Sequence, residues 1–155
     1  MNPQAAQQAQ NYLRTRVLTA TPEQLQMMLF DGAIRFCEQG KAALEKKDFD
    51  ASYTSISKAQ KIVLELNASL KHDVSPDLCG KLAAIYNYTY RKLLEANVGH
   101  ELEPMGEAIR MLRYQRETWA LLMDQLGKSK AATAAKGLMM PGPDARMEAS
   151  ISMRG

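Results

Sequence analysis

The sequence predicts an all-α protein: an antiparallel up-down four-helix bundle with a short N-terminal helix or arm and a disordered C-terminal tail. Apolar residues recur at spacings of three and four over four long segments, which is the period of helices that bury one face. Short breaks separate these segments and favour antiparallel neighbours. No alternating run of β-branched residues is present, so strands are not expected. The 155 residues, 46% of them hydrophobic, suffice for one buried core.

The first two bundle helices have recognisable start signals and apolar seams. Thr21 is a typical N-cap residue, followed by Pro22 at the first helical position and by Gln24, which completes a capping box. The seam of this helix runs to Leu44 and includes Gly32, whose missing side chain predicts a close approach between helices. The second helix runs roughly over 50–70, with a seam formed by Tyr53, Ile56, Ala59, Val63, Leu66 and Leu70.

The third and fourth helices complete the bundle. The third begins after the cap Ser75, and the Asn-Val-Gly sequence at 97–99 closes it. The fourth carries its apolar period from Met105 to a stop at Gly127. These bounds predict an N-terminal arm over 1–20, a helical bundle domain over 21–127 that binds the partner, and a flexible tail over 128–155.

The charge lies in the tail rather than in the bundle. The net charge of +3 is carried entirely by 128–155, which leaves 1–127 neutral. A nucleic-acid-binding protein usually has a positively charged surface on its folded domain, so no nucleic-acid partner is expected here. The first residues lack the positively charged segment and the apolar segment of a secretory signal peptide. No stretch of the sequence is long and apolar enough to span a bilayer. We therefore expect a cytoplasmic protein without membrane insertion.

Residue patterns that carry catalysis or bind cofactors are missing. The two histidines, His72 and His100, fall in breaks between helices, and neither forms the Glu-x-x-His pair of a di-iron bundle. Cys37 and Cys79 have no nearby cysteine partner and are expected to be reduced, buried thiols. No glycine-rich phosphate loop is present. The sequence thus predicts no catalytic residue, no metal and no cofactor, and the protein is not expected to be an enzyme.

Three arginines recur every three residues along the fourth helix, at Arg110, Arg113 and Arg116. One interpretation is an exposed face whose charges are balanced by Glu107 and Glu117 on the same helix. The other is a surface that recognises an acidic partner segment.

Apolar residues outside the seams are the strongest positive signal. Met27-Met28-Leu29-Phe30 is apolar at four consecutive positions and therefore spans the circumference of its helix. Inner helices of a bundle bury more than a stripe, which accounts for part of this surplus. The remainder indicates long grooves that accept an amphipathic helix of a partner, and flexible methionine side chains suit such surfaces.

Several segments resemble one protein family. VLTATPEQL at 17–25 and LFDGAI at 29–34, preceded by Tyr12, are similar to the opening pattern of the flagellar secretion chaperone family FliS. ELNASL at 65–70, IYNYTYRKLLEAN at 85–97 and the stretch 111–119 resemble its later motifs in the same order. The resemblance covers roughly 10–126. Departures place Thr89, Gln115 and Thr118 where the pattern has Met, Leu and Ala.

The resemblance implies a cytoplasmic four-helix bundle that binds newly made flagellin. Such a chaperone holds the C-terminal segment of flagellin, prevents premature polymerisation and delivers the complex to the flagellar export apparatus. We interpret eight residues as partner-binding. The N-terminal arm residues occupy a groove when no client is present, and the others form groove walls: Tyr12 and Val17 in the arm, and Met27, Phe30, Ile34, Leu64, Tyr86 and Tyr90 in the bundle.

Two other functions remain open from the sequence. The apolar surplus also fits a structural or regulatory adaptor that forms a homodimer through a flat apolar face. The arginine series and the basic tail fit a weak nucleic-acid binder. For the chaperone interpretation, we expect a monomer or a weak homodimer.

Overall fold

The computed structural model of the protein describes residues 2–73 and 75–126, which form five α-helices and no β-strand. The all-α prediction is confirmed for these residues. The helices are α1 (Pro3–Thr19), α2 (Pro22–Glu45), α3 (Phe49–Ala68), α4 (Pro76–Gly99) and α5 (Leu102–Leu126). The predicted stop at Gly127 and the predicted tail over 128–155 lie outside the described residues. No helix in the described ranges combines the length and the apolar content that a bilayer crossing requires.

The starts of α1, α2 and α3 are fixed by capping side chains, whereas the predicted cap Ser75 of α4 forms no side-chain cap hydrogen bond. The Thr21 hydroxyl accepts the backbone N–H of Gln24 at 3.1 Å, and the Gln24 side chain accepts the Thr21 N–H at 2.9 Å. The predicted capping box is therefore confirmed. Asp48 caps α3 by accepting the Ala51 N–H at 3.2 Å. At the chain start, the N-cap Asn2 begins a helix of 17 residues, longer than the predicted short helix or arm.

The end of α4 differs from the prediction. Gly99 stays within the helix, and His100 takes the left-handed conformation that caps it, with φ of 54°. Glycine usually occupies such a position because a β-carbon disfavours it. The His100 ring stacks on Phe49 with ring centroids 3.9 Å apart, and this contact helps to hold the cap.

The helices α2 to α5 pack in a closed order. α2 packs against α3 and α5, and α4 packs against the same two helices. Polar contacts between α2 and α5 run in opposite residue order, since higher numbers on α5 pair with lower numbers on α2: Trp119 with Glu23, Arg116 with Asp31, and Arg113 with Glu38. On the α3–α4 side, the Asn97 amide donates to Gln60 at 3.2 Å and the Asn67 amide donates to Asn87 at 3.4 Å.

At Gly40, α2 comes close to α3. A β-carbon built there would lie 2.7 Å from the Cγ1 atom of Ile56, closer than real side chains come. Gly32, which the sequence singled out for this role, is also buried. Leu112 and Trp119 belong to the core.

One seam residue of α3 was predicted wrongly. Tyr53 is exposed, and its neighbour Ser52 is buried one position earlier. Both residues keep the helical period with Ile56, at spacings of three and four. The Ser52 hydroxyl donates to the Phe49 carbonyl at 3.1 Å, so its burial leaves no unpaired donor.

Candidate functional site: an apolar cleft between α4 and α5

An apolar cleft of about 210 Å³ lies between α4 and α5. A volume of roughly 150 Å³ already accommodates a benzene ring, so this cleft has room for a large apolar side chain. One side chain of α2 and the facing stripes of α4 and α5 line it. These residues, which we call the α4/α5 cleft, are Phe30, Leu78, Leu82, Ile85, Tyr86, Tyr114, Gln115, Thr118, Trp119 and Leu122.

The cleft has a buried floor and an exposed rim. Phe30 and Tyr86 are each 1% exposed and belong to the core. Burial raises the pKa of the Tyr86 hydroxyl, so it stays protonated. Trp119 is fixed by a hydrogen bond from its indole N–H to the Glu23 carbonyl at 3.3 Å. At the rim, Leu78 is 44% exposed, so apolar surface remains available to a partner.

The α5 wall of the cleft carries two polar side chains. The Thr118 hydroxyl donates to the Tyr114 carbonyl at 2.9 Å, so this polar group is satisfied within α5. Gln115 is only 7% exposed, and neither its amide nitrogen nor its amide oxygen has a hydrogen-bond partner. A buried polar group without a partner costs about 1–3 kcal/mol.

A depression of about 590 Å³, whose largely apolar lining includes charged side chains, shares the residue Ile85 with the cleft. In it, the Tyr88 hydroxyl donates to Glu107 Oε2 at 2.7 Å, and Lys92 Nζ lies 3.6 Å from the same oxygen. The Tyr88 hydrogen bond and the Lys92 charge lower the pKa of Glu107. Arg110 also lines this depression. The site therefore joins an apolar part to a charged part.

The arginine series of α5 is partly engaged inside the molecule. Arg113 forms an ion pair with Glu38 and Arg116 with Asp31, both on α2. The hydrogen bond and charge of Asp31 raise the pKa of Arg116. The direct ion-pair partners of these two arginines are thus on the neighbouring helix, whereas Glu117 of α5 also interacts with the charge of Arg116, and Glu107 interacts with the charge of Arg110. An uninterrupted basic stripe for nucleic acid is not favoured.

The structure brings two of the eight proposed partner-binding residues together in the cleft, namely Phe30 and Tyr86. Tyr90 and Ile34 are partly buried against the core. Leu64 lies on α3, which does not line the cleft, and is 51% exposed.

The remaining three residues lie toward the start of the chain. Val17 is the buried residue of α1, whereas Tyr12 is exposed. Met27 is partly buried and lines a depression of about 340 Å³ that is shared by α1 and α2.

Sequence reasoning missed the cleft because its residues look like core. Leu82, Trp119 and Leu122 are large apolar residues in helices whose apolar faces are expected to form the core, and only their arrangement across two helices produces a cleft. Gln115 and Thr118 gave the available signal, because two polar residues one turn apart interrupt an apolar seam.

The described residues offer no constellation for metal or redox chemistry. No group of three or more potential ligands among His, Cys, Asp and Glu occurs in the described ranges. Cys37 and Cys79 are free and buried. Burial raises the pKa of the Cys37 thiol, and a protonated thiol is a poor nucleophile and metal ligand.

Comparison with known proteins adds an independent finding. A family model described as flagellar protein FliS matches residues 5–126. The flagellar secretion chaperone FliS of Bacillus subtilis (strain 168) is 32% identical over 108 residues, which cover 70% of this chain and 80% of that protein. The flagellar secretion chaperone FliS of Salmonella typhimurium is 32% identical over 112 residues, which cover 72% of this chain and 83% of that protein. The Escherichia coli (strain K12) protein of the same name is 29% identical, again over 72% of this chain.

Proposed function

Because the chain belongs to the FliS family of flagellar secretion chaperones, we propose that it binds the C-terminal segment of flagellin and uses the α4/α5 cleft to do so. The bound segment is kept from polymerising in the cytoplasm and is delivered to the flagellar export apparatus. The observation that carries the proposal is a cleft with an apolar floor, open at an apolar rim, in a chain of this family.

We further infer that α2 to α5 form an antiparallel up-down bundle over 21–127, with α1 as an arm. The closed packing order, the opposite residue order of the cross-helix contacts and the short connections at 46–48 and 100–101 support this arrangement. In such a bundle, α4 and α5 form a hairpin whose outer surface is free for a client helix. Val17 of the arm contributes to the core, while Tyr12 stays available to a client.

The physical mechanism is coupled folding and binding. A client segment that is disordered in solution buries its apolar side chains between the rims of α4 and α5, and it becomes helical as it does so. Ordering the segment costs on the order of 2–5 kcal/mol, which lowers the affinity and keeps the complex releasable for export. The adjoining depression with Glu107 and Arg110 offers charged contacts to the polar face of the same helix.

Two leucines of α4 provide a matched test. Leu78 is at the cleft rim and is 44% exposed, whereas Leu94 is 45% exposed and does not line the cleft. Replacing each by glutamine removes the same apolar surface without placing a charge near a helix end. Full burial of the exposed part of Leu78 by a client contributes about 1 kcal/mol, so L78Q should bind about fivefold more weakly.

The measurement is calorimetric titration with a synthetic peptide of the flagellin C-terminal segment, next to melting curves of each variant. We expect L78Q to lose affinity and L94Q to bind like the parent protein. Absence of binding to the parent would refute flagellin as the client. Equal affinity of L78Q and the parent would refute the cleft as its site, and loss of affinity in L64Q instead would place the client on α3.

Size-exclusion chromatography tests the homodimer alternative with the same proteins. Our proposal predicts a monomeric mass at low micromolar concentration. A stable dimer that L78Q dissociates would instead identify the cleft as a self-association surface.

A further inference from the structure

We propose that Gln115 is a specificity-determining residue of the α4/α5 cleft, and that its buried amide forms hydrogen bonds with a polar side chain on the apolar face of the docked client helix. The inference rests on the proposed function, since it requires a client in this cleft. It goes further by stating the chemistry that the client must present.

The first support is that Gln115 has unused hydrogen-bonding capacity inside an apolar site. Its side chain lines the cleft, is more than nine-tenths buried, and has no hydrogen-bond partner at either amide atom. Buried polar groups in native proteins are nearly always paired, and an exception calls for an explanation. An incoming group that pairs with the amide supplies one.

The second support is the contrast with two other polar side chains of the same helices. The hydroxyl of Thr118, which is exposed and one turn away, donates to the Tyr114 carbonyl. Thr89 of α4 does the same on the Ile85 carbonyl at 2.9 Å. Local pairing therefore explains both threonines without any ligand, and it leaves Gln115 as the side chain of the cleft wall whose amide is unpaired.

The chemistry of the amide defines the occupant. A carboxamide offers two N–H donors and one carbonyl acceptor, and another carboxamide complements it with paired donor and acceptor. We therefore expect an Asn or Gln, or else a Ser or Thr, among the apolar residues that the client helix buries in the cleft. A helix with a wholly apolar face would leave the Gln115 amide unpaired, as it is in the free protein, so such a client would gain none of the hydrogen bonds that a polar side chain gains.

Gln115 interrupts the apolar wall that α5 contributes to the cleft. Trp119 and Leu122 of the same helix line the cleft beside it. An aliphatic side chain at this place would complete an all-apolar wall. The amide therefore changes which clients fit rather than whether a cleft exists.

Q115M tests the inference because methionine is close to glutamine in length and lacks the amide. In the client-free protein, removal of an unpaired buried amide should raise the melting temperature by about 2–4 °C. With the flagellin C-terminal peptide, the same variant should bind roughly threefold to tenfold more weakly, because the hydrogen bonds to the client are lost. A purely structural residue would not move stability and affinity in opposite directions.

G80A is the matched control for stabilisation alone. Gly80 is exposed on α4, and a β-carbon there meets nothing within 4 Å. G80A should therefore raise the melting temperature while leaving peptide affinity unchanged. Peptide variants in which single Asn, Gln, Ser or Thr residues are replaced by alanine complete a double-mutant cycle. One of these peptides should bind the parent protein more weakly than the original peptide does, but should bind Q115M equally well.

Each result has a distinct meaning. A melting temperature of Q115M at or below that of the parent would overturn the inference, because the amide would already be satisfied in the free protein. Equal peptide affinity of Q115M and a binding parent would overturn the inference and leave the proposed function standing. A parent that does not bind the peptide would refute the proposed function, and the inference with it.

Discussion

G40A should destabilise the protein, although alanine is the better helix former. Gly40 lies in the interior of α2 and faces Ile56 of α3, and a β-carbon there would lie 2.7 Å from Ile56 Cγ1. That atom is next to the β-carbon of a branched side chain, so it cannot move aside without a shift of α3 or a rotamer change.

Two opposing effects set the magnitude. Replacing glycine by alanine inside a helix is worth about 1 kcal/mol from backbone propensity alone. Forcing an additional methyl group into a closely packed contact costs typically 1–3 kcal/mol. The second effect is the larger, so we expect G40A to lie about 1–3 kcal/mol below G80A, which gains the propensity term and meets no neighbouring atom.

Urea denaturation followed by circular dichroism measures this difference. In an I56A background the obstructing atom is absent, so G40A should become neutral or stabilising there, and the change of sign isolates the contact. Equal unfolding free energies for G40A and G80A in the parent background would refute the reasoning, and so would a destabilisation by G40A that persists in I56A.

Three further predictions use the same stability assays. The Tyr88 hydrogen bond lowers the folded-state pKa of Glu107, so the stabilisation from ionised Glu107 is present above the ordinary carboxyl pKa of 4.5 and is lost as pH falls through the lowered value. The difference in unfolding free energy between the parent and E107Q should accordingly shrink on acidification. A pH-independent difference would contradict this. K47G should raise stability by up to about 1 kcal/mol, because Lys47 has φ of 59°, and an unchanged or lower urea midpoint would count against strain there. F30D should fail to fold, because Phe30 is 1% exposed and the free-energy cost of burying an unpaired carboxylate exceeds the free energy of unfolding of a typical domain. A native far-ultraviolet circular dichroism spectrum of F30D would place Phe30 at the surface.

Helix positions were predictable because their signals are local. The capping box at Thr21 acts within a few residues of the bonds it forms. It can therefore be recognised in the sequence. Tyr53 shows the limit of this reasoning, since apolarity alone cannot decide between two positions that share the helical period with Ile56.

The candidate site was less predictable because it depends on the relation between helices. Gly32 and Gly40 look alike in the sequence, and only the path of α3 determines that Gly40 faces Ile56. In the same way, Leu64 and Phe30 are both apolar residues outside the predicted seams, yet Leu64 is exposed on the surface of α3 and Phe30 forms the floor of the cleft. Pairing of Arg113 with Glu38 likewise joins residues far apart in the chain.

Trp119 is an intrinsic fluorescent probe of the α4/α5 cleft. It is the single tryptophan of the sequence, and it lies in the wall of the α4/α5 cleft. Its indole is tethered to the Glu23 carbonyl, so the ring keeps one orientation while its surroundings change. Intrinsic fluorescence therefore senses whether water or an apolar side chain occupies the cleft, and the arrival and departure of a client can be timed without any attached dye.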